Sequence, residues 1–372
     1  MELVNSTRME AGYSIGIDPA GREHLVVVIK GTFALPRAGE KVRLLEEQLP
    51  LVMADTYTGE PGRSAPVHEV DFALHKRACD VLLNGSAYAP AGRQTPRQIV
   101  GLRCGTMNKS FDVVGDRVWQ AGLTTILPSA AQPYVRMPIS YDVAFGGVDV
   151  SSEDEQQHAA YAANPVGRGW HKSLRSSSVD GKPLPNTEET GQPIGFPSTE
   201  YKPVSFGPLA RSWPSRARHA GTYDDQWLAD VFPFLPKDFD DRYYQAAPED
   251  QQIEIPTEPL LVQMINLTPD NLREFSLPSF EAPVHIFPKQ GPHEDHVGKL
   301  DTILFEPDHE RFTMNWRVTR PLKRSLHEIG QVVVGRKGTE WWQQRGQVGF
   351  PIPVVMVPMR SDESGHAEDA AS

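Results

Sequence analysis

Six carboxylates crowd one stretch of the chain: Asp224, Asp225, Asp230, Asp238, Asp240 and Asp241, set among Trp227, Phe232, Phe234, Phe239, Tyr243 and Tyr244. Glycoside hydrolysis needs such a mixture, because an acid and a base must flank the scissile bond beside surfaces on which a sugar stacks. The same aspartates have an architectural use. Their oxygens accept backbone N–H groups at turns and helix starts, and in PKDFDDRYY either Asp238 or Asp240 is placed to begin a helix. The architectural reading is the stronger, since spacing alone supplies no acid–base separation.

Other chemistry is thinner. His293 and His296 form a His-x-x-His pair around Glu294 and Asp295, but a closed metal site takes four ligands and a catalytic one usually three. Ser86 in NGSAY falls inside a predicted strand, where a small residue packs against its neighbour. Arg211, Trp213, Arg216, Arg218 and His219 make one basic-aromatic run that could stack on bases or grip phosphate. In an acidic chain these arginines are expected to pair with the carboxylates that follow them. No GxSxG elbow, Walker loop or dinucleotide fingerprint occurs. The expectation is a protein without catalytic residues, cofactor or metal.

The elements that must position these side chains read mainly as strands. Residues 25–35 are LVVVIKGTFAL, 80–90 are DVLLNGSAYAP, and 113–119 are VVGDRVW, where Gly115-Asp116 is a predicted tight turn. Toward the other end, Phe312, Met314, Trp316 and Val318 alternate with Arg311, Thr313, Asn315, Arg317 and Thr319, the cleanest period-two signal in the chain. Residues 321–330 read as a short helix ended by glycine, feeding a strand over 331–336. Residues 148–257 differ: Pro, Gly, Asn, Asp and Trp dominate, with two short helical stretches at 225–247. The expected fold is mainly β, a sandwich-like framework of N- and C-terminal strands (20–147 and 258–336) carrying a long irregular excursion. Together these form one domain over 1–360, and the small polar tail 361–372 is expected to be disordered.

Composition narrows the function classes. The 372 residues carry a net charge of −11, which argues against nucleic-acid binding and for a basic or neutral partner. Cys79 and Cys104 have no metal or redox spacing. No signal peptide is legible in residues 1–10, and no run nears the ~20 apolar residues that cross a bilayer. The expected setting is the cytoplasm, without membrane insertion.

An ordered series of stretches carries a resemblance: VIKGTF (28–33), DVLLNGSAYAP, VVGDRVW, MPISYDVAFGG (137–147), NPVGRGW (164–170), LPNTE (184–188), FGPLARSWPSR (206–216), GTYDDQW (221–227), PKDFDDRYYQAAPEDQ (236–251), LDTI (300–303) and MNWR (314–317). Over residues 20–320 the chain resembles the bacterial type VI secretion adaptors long catalogued only as a domain of unknown function and encoded near PAAR-like effectors. The resemblance implies a chaperone that binds an effector with a PAAR-like tip domain and promotes its loading onto the spike, the valine-glycine-repeat protein. It brings no catalytic residues. Aromatic and arginine side chains dominate protein interfaces, so the candidate partner-binding residues are Arg168, Trp170, Trp213, Arg216, Tyr223, Trp227 and Tyr243. Each has a second use as an anchor holding the irregular segment down. The alternatives are a carbohydrate-active enzyme or lectin built on the aspartates of the middle region, and a structural part of a tail-like assembly.

Overall fold

The alternation at 311–320 becomes the strand Arg311–Pro321, central in a six-stranded sheet. We describe a computed structural model covering residues 1–122 and 124–344. The sheet runs in the order Gln252–Ile253, Cys79–Leu83, Lys299–Glu306, Arg311–Pro321, Glu23–Ala34, Glu10–Ile17. Its strands therefore come from both ends of the sequence, and only Cys79–Leu83 beside Lys299–Glu306 is parallel. A five-stranded antiparallel sheet contains Thr187–Glu188, Met107–Val114, Arg97–Cys104, Leu261–Ile265 and Leu272–Ser276. A four-stranded sheet joins Glu2–Asn5 in parallel to Ile329–Val334, followed by Pro283–Pro288 and Glu294–Val297. The fold is mainly β, and its helices are short.

One core serves all three sheets. Val27, Ile29, Phe33, Phe312, Met314 and Trp316 meet Val100, Leu102, Phe111 and Met264 of the second sheet and Val284, Ile286 and Val332 of the third. Burying each of these large side chains contributes about 2–3 kcal/mol. Met1–Gly335 forms one compact unit, and beyond it the helix Thr339–Gln344 is described. The tail expected at 361–372 lies outside the described residues.

Three local expectations are corrected. Gly115-Asp116 is not a hairpin turn. That role falls to Gly105-Thr106, between Cys104 and Met107, where Gly105 has φ +57°. Gly115 instead allows a close backbone approach, since a Cβ there would lie 1.7 Å from the Gln132 carbonyl oxygen. The predicted helix at 321–330 shrinks to a single 3-10 turn, Leu326–Glu328, because the strand before it runs on through Pro321. Arg211 and Arg216 pair with Asp55 and Glu69, far upstream of them, and only Arg218 reaches a later carboxylate, Glu249.

The second face of the six-stranded sheet is buried too, and beside the aliphatic Val26, Val28, Leu82 and Leu304 it carries polar side chains. Register sets Lys30 opposite Asn315 and Thr32 opposite Thr313 on that face, with Arg317 further along it. The segment spanning residues 49–77 covers them. Asp71 accepts from Lys30 Nζ at 3.1 Å, Asn315 Nδ2 at 2.6 Å and Val52 N at 2.7 Å. Arg317 donates to the carbonyls of Asp71 and Ala73 and binds the Asp301 carboxylate. A bulge between Leu300 and Thr302 re-aims Asp301 toward it. Nearby, Lys76 Nζ reaches Asp80 at 2.7 Å, and Gln245 and the N–H of Ala246 also donate to Asp80.

Two predictions follow from this ionic layer. Arg317→Met leaves Asp301, whose side chain is 3% exposed, buried and unpaired. Urea unfolding should show a loss of about 3–5 kcal/mol, much of it regained when Asp301→Leu is added. Glu306 gives the pH dependence. Its burial alone would raise the carboxyl pKa, but hydrogen bonds from His68 and Arg311 override that and hold it at about 2, against an ordinary 4.5. A depressed folded pKa stabilises above the unfolded value and is lost as pH falls from about 4.5 toward about 2. Glu306→Gln should flatten the acid limb of stability in that window. An unchanged limb removes Glu306 from the account.

Candidate docking surface

The irregular region is pinned from within. Arg216 sits at the end of the short helix Pro214–Ala217 with its side chain 4% exposed. Its guanidinium donates to Leu209 O at 2.8 Å, Tyr243 O at 2.7 Å and Glu69 Oε1 at 2.5 Å. Burial would raise the Glu69 carboxyl, but Arg216, Lys76 and Arg211 together lower it below its usual value. Trp213, 3% exposed, packs edge-on against Tyr141 in a small core with Ala65, Ala144 and Ala210. Two of the seven candidate partner-binding residues, Trp213 and Arg216, are thus internal. Their side chains are used up in holding 206–217 against the 49–77 segment.

Three more are partly internal. Trp170 packs on a second small core of Trp119, Phe145, Val179, Leu184 and Ile194, with the Tyr161 ring 5.8 Å away. Arg168 hydrogen-bonds Asn186 and lies 3.6 Å from Asp116. Tyr243 is half-buried beside Phe239, its carbonyl committed to Arg216.

Tyr223 and Trp227 belong to a different place. Asp224 caps the helix Asp225–Asp230 by accepting from Trp227 N at 2.8 Å. The indole then becomes the hub of an outward-facing cluster. Tyr223 meets it at 4.7 Å and Phe232 at 5.6 Å, both edge-on, and Trp227 Nε1 donates to Phe234 O at 3.0 Å. The Phe234 ring lies against Gly21. Tyr223 is 53% exposed, Leu228 59%, Phe232 61% and Phe234 43%. Exposed aromatic and aliphatic side chains gathered in one patch mark an interaction surface. Leu228, Phe232 and Phe234 were not among the candidate partner residues. FPFLP carried the signal: aromatics interleaved with prolines cannot enter a sheet or helix interior, so no element buries them.

The catalytic candidates are occupied elsewhere. Asp240 accepts from the backbone and side chain of Arg242, and Asp238 accepts from Thr222 N and Oγ1. Both carboxyls are held below their usual range by these bonds, the opposite of what a general acid requires. Ser86 donates to Asp308 Oδ2 at 2.7 Å and accepts from Arg136, and no histidine among the described residues is bonded to it. His285 and His293 both face Asp295, and His296 faces Glu294. Among the described residues no group of three or more His, Cys, Asp or Glu is arranged to hold a metal. Burial pushes the Cys104 thiol up to about 12, which suits a packed side chain and not a nucleophile. A cleft of about 510 Å³ opens over Met314 and Trp316 between the linkers carrying Pro256, Pro259 and Pro278. No helix among the described residues is long and apolar enough to cross a membrane.

Residues 20–317 match the model of a family described as "Uncharacterized protein conserved in bacteria (DUF2169)". The match takes in the ionic layer and the whole middle region, and leaves out Glu2–Asn5 and Ile329–Val334 of the four-stranded sheet. No curated protein and no solved structure matches the chain.

Burial separates the two kinds of aromatic anchor experimentally. Trp213→Ala should cost about 3–5 kcal/mol in denaturant unfolding, whereas Phe232→Ala should stay within about 0.5 kcal/mol of wild type. Equal losses at the two positions would contradict this division.

Proposed function

This chain belongs to that uncharacterized bacterial family, and from that premise we propose that it is an adaptor that binds another protein and catalyses no reaction. Its client on this reading is a type VI secretion effector carrying a PAAR-like tip domain. The adaptor holds that effector in the cytoplasm and promotes its loading onto the valine-glycine-repeat spike. The client's identity comes from the resemblance of the ordered stretches between residues 28 and 317. The binding role rests on one observation: an exposed cluster around Trp227, carried on a segment whose base is fixed by Arg216 and Trp213. A rigid base reduces the ordering cost of association. Of the carboxylates an enzyme would use, Asp224 and Asp240 serve as caps, Asp240 also pairs with Arg242, and Asp238 is bonded by Thr222.

The experiment is a tagged pull-down from the native cell with mass spectrometry of the bound proteins. The adaptor reading expects a PAAR-like toxin or the spike protein near one copy per chain. Trp227→Ala and Tyr223→Ala should each weaken retention by about tenfold while leaving the chain folded. If bait is soluble, toxin and spike are expressed and neither is recovered, the adaptor reading fails. A glycan screen that then finds a ligand lost on Asp224→Asn supports the carbohydrate alternative.

A further inference from the structure

Carboxylates outnumber cations around the exposed cluster. Asp224, Asp225 and Asp230 flank Trp227 and Leu228 on the same short helix, and all three are exposed. Exposed Asp238 closes the loop after Phe234, held there by Thr222. Within residues 220–240 the only cation is Lys237. Arg22, beside the Gly21 that supports Phe234, donates its Nε to the Leu322 carbonyl, stays exposed and is the second cation near the patch. The patch is therefore an apolar centre with a predominantly acidic margin, four exposed aspartates against Lys237 and Arg22, on a chain whose net charge is already −11.

We propose that this cluster docks a client segment in which apolar side chains are flanked by lysine or arginine. The proposal deepens the adaptor reading and rests on it for the assumption that a client exists. Charge selects among occupants. A two-fold contact between copies of this chain would set one acidic margin against the other, and like charges across an interface oppose binding. An anionic membrane surface or a nucleic acid meets the same repulsion. A basic margin on the client removes it, and the overall negative field then speeds encounter. Tyr223, Leu228, Phe232 and Phe234 supply the desolvated centre and the aspartates orient what lands on it, the usual division between anchor and rim.

The test uses the full chain and three sets of immobilised synthetic peptides. In one set Leu and Phe are flanked by Lys and Arg, in another by Asp and Glu, and in a third by Ser and Gly. The proposal expects binding to the basic set alone, declining as salt rises. Phe232→Ser and Leu228→Ser should each weaken it by about tenfold, and the Asp225→Lys/Asp230→Lys double variant by about threefold or more. All these positions are exposed, so an unchanged unfolding midpoint certifies each variant, and the two apolar substitutions stand in for one another. Failure to bind the basic set, equal binding to all three sets, or binding that the substitutions leave unchanged overturns the proposal. So does self-association in sedimentation that Phe232→Ser abolishes. Preference for the basic peptides without capture of any exported toxin sinks the adaptor reading and leaves this surface standing. Capture of a toxin undiminished by Phe232→Ser and by the double aspartate variant does the reverse.

Discussion

The segment laid over the middle of the second face of the six-stranded sheet must bring the right charge. That face presents Lys30, Thr32, Asn315 and Arg317 where an ordinary sandwich would present aliphatic side chains. Leaving them dry and unpaired would cost several kcal/mol apiece. Asp71, the N–H of Leu49 and the carbonyls of Asp71 and Ala73 answer them from the covering segment, each fixing a position along it, and Asp301 answers Arg317 from the neighbouring strand. Buried ion pairs add little net stability over well-packed hydrophobic residues. What they supply here is register: a shift of the 49–77 segment would leave several charges unmatched together.

The same logic reaches outward to the irregular region. Glu69, on the covering segment, is shared by Arg211 and Arg216. Arg216 in turn holds the carbonyls of Leu209 and Tyr243, and Trp213 is seated beside it in the Tyr141 core. Asp80 on the sheet takes hold of Gln245 and Ala246 from the far side of the excursion. The stretch from Arg211 to Ala246 is thus tied down on both sides, to the covering segment through Glu69 and to the sheet through Asp80. The aromatic cluster around Trp227 lies between those ties in sequence.

The sequence showed some of this and hid the rest for physical reasons. The strand at 311–320 was legible because Phe312, Met314, Trp316 and Val318 alternate, and so was the mainly β character. What alternation cannot reveal is that Thr313, Asn315 and Arg317 are also buried, because a paired charge and a solvated one have the same residue type. The pairing of Arg216 with Glu69 was invisible for a related reason: 147 positions separate them. Capping by Asp224 and Asp240 was foreseen as a use for the aspartates, since the caps and their donors are two or three residues apart. Among the candidate partner residues, composition placed Trp213 and Tyr223 in one class. Only the three-dimensional packing separates a tryptophan 3% exposed from a tyrosine 53% exposed.

The strand Glu23–Ala34 has Arg311–Pro321 as one of its two neighbours. A ribosome delivers these two strands far apart in time, with residues 35–310 made between them. At about 5–20 residues per second, Val27, Ile29 and Phe33 wait many seconds for the partner that covers their flank. During that interval the nascent chain offers an open sheet edge to whatever is nearby. Non-local pairing of this kind also folds slowly once the chain is whole. A chain paired in this way depends on shelter while it is being made.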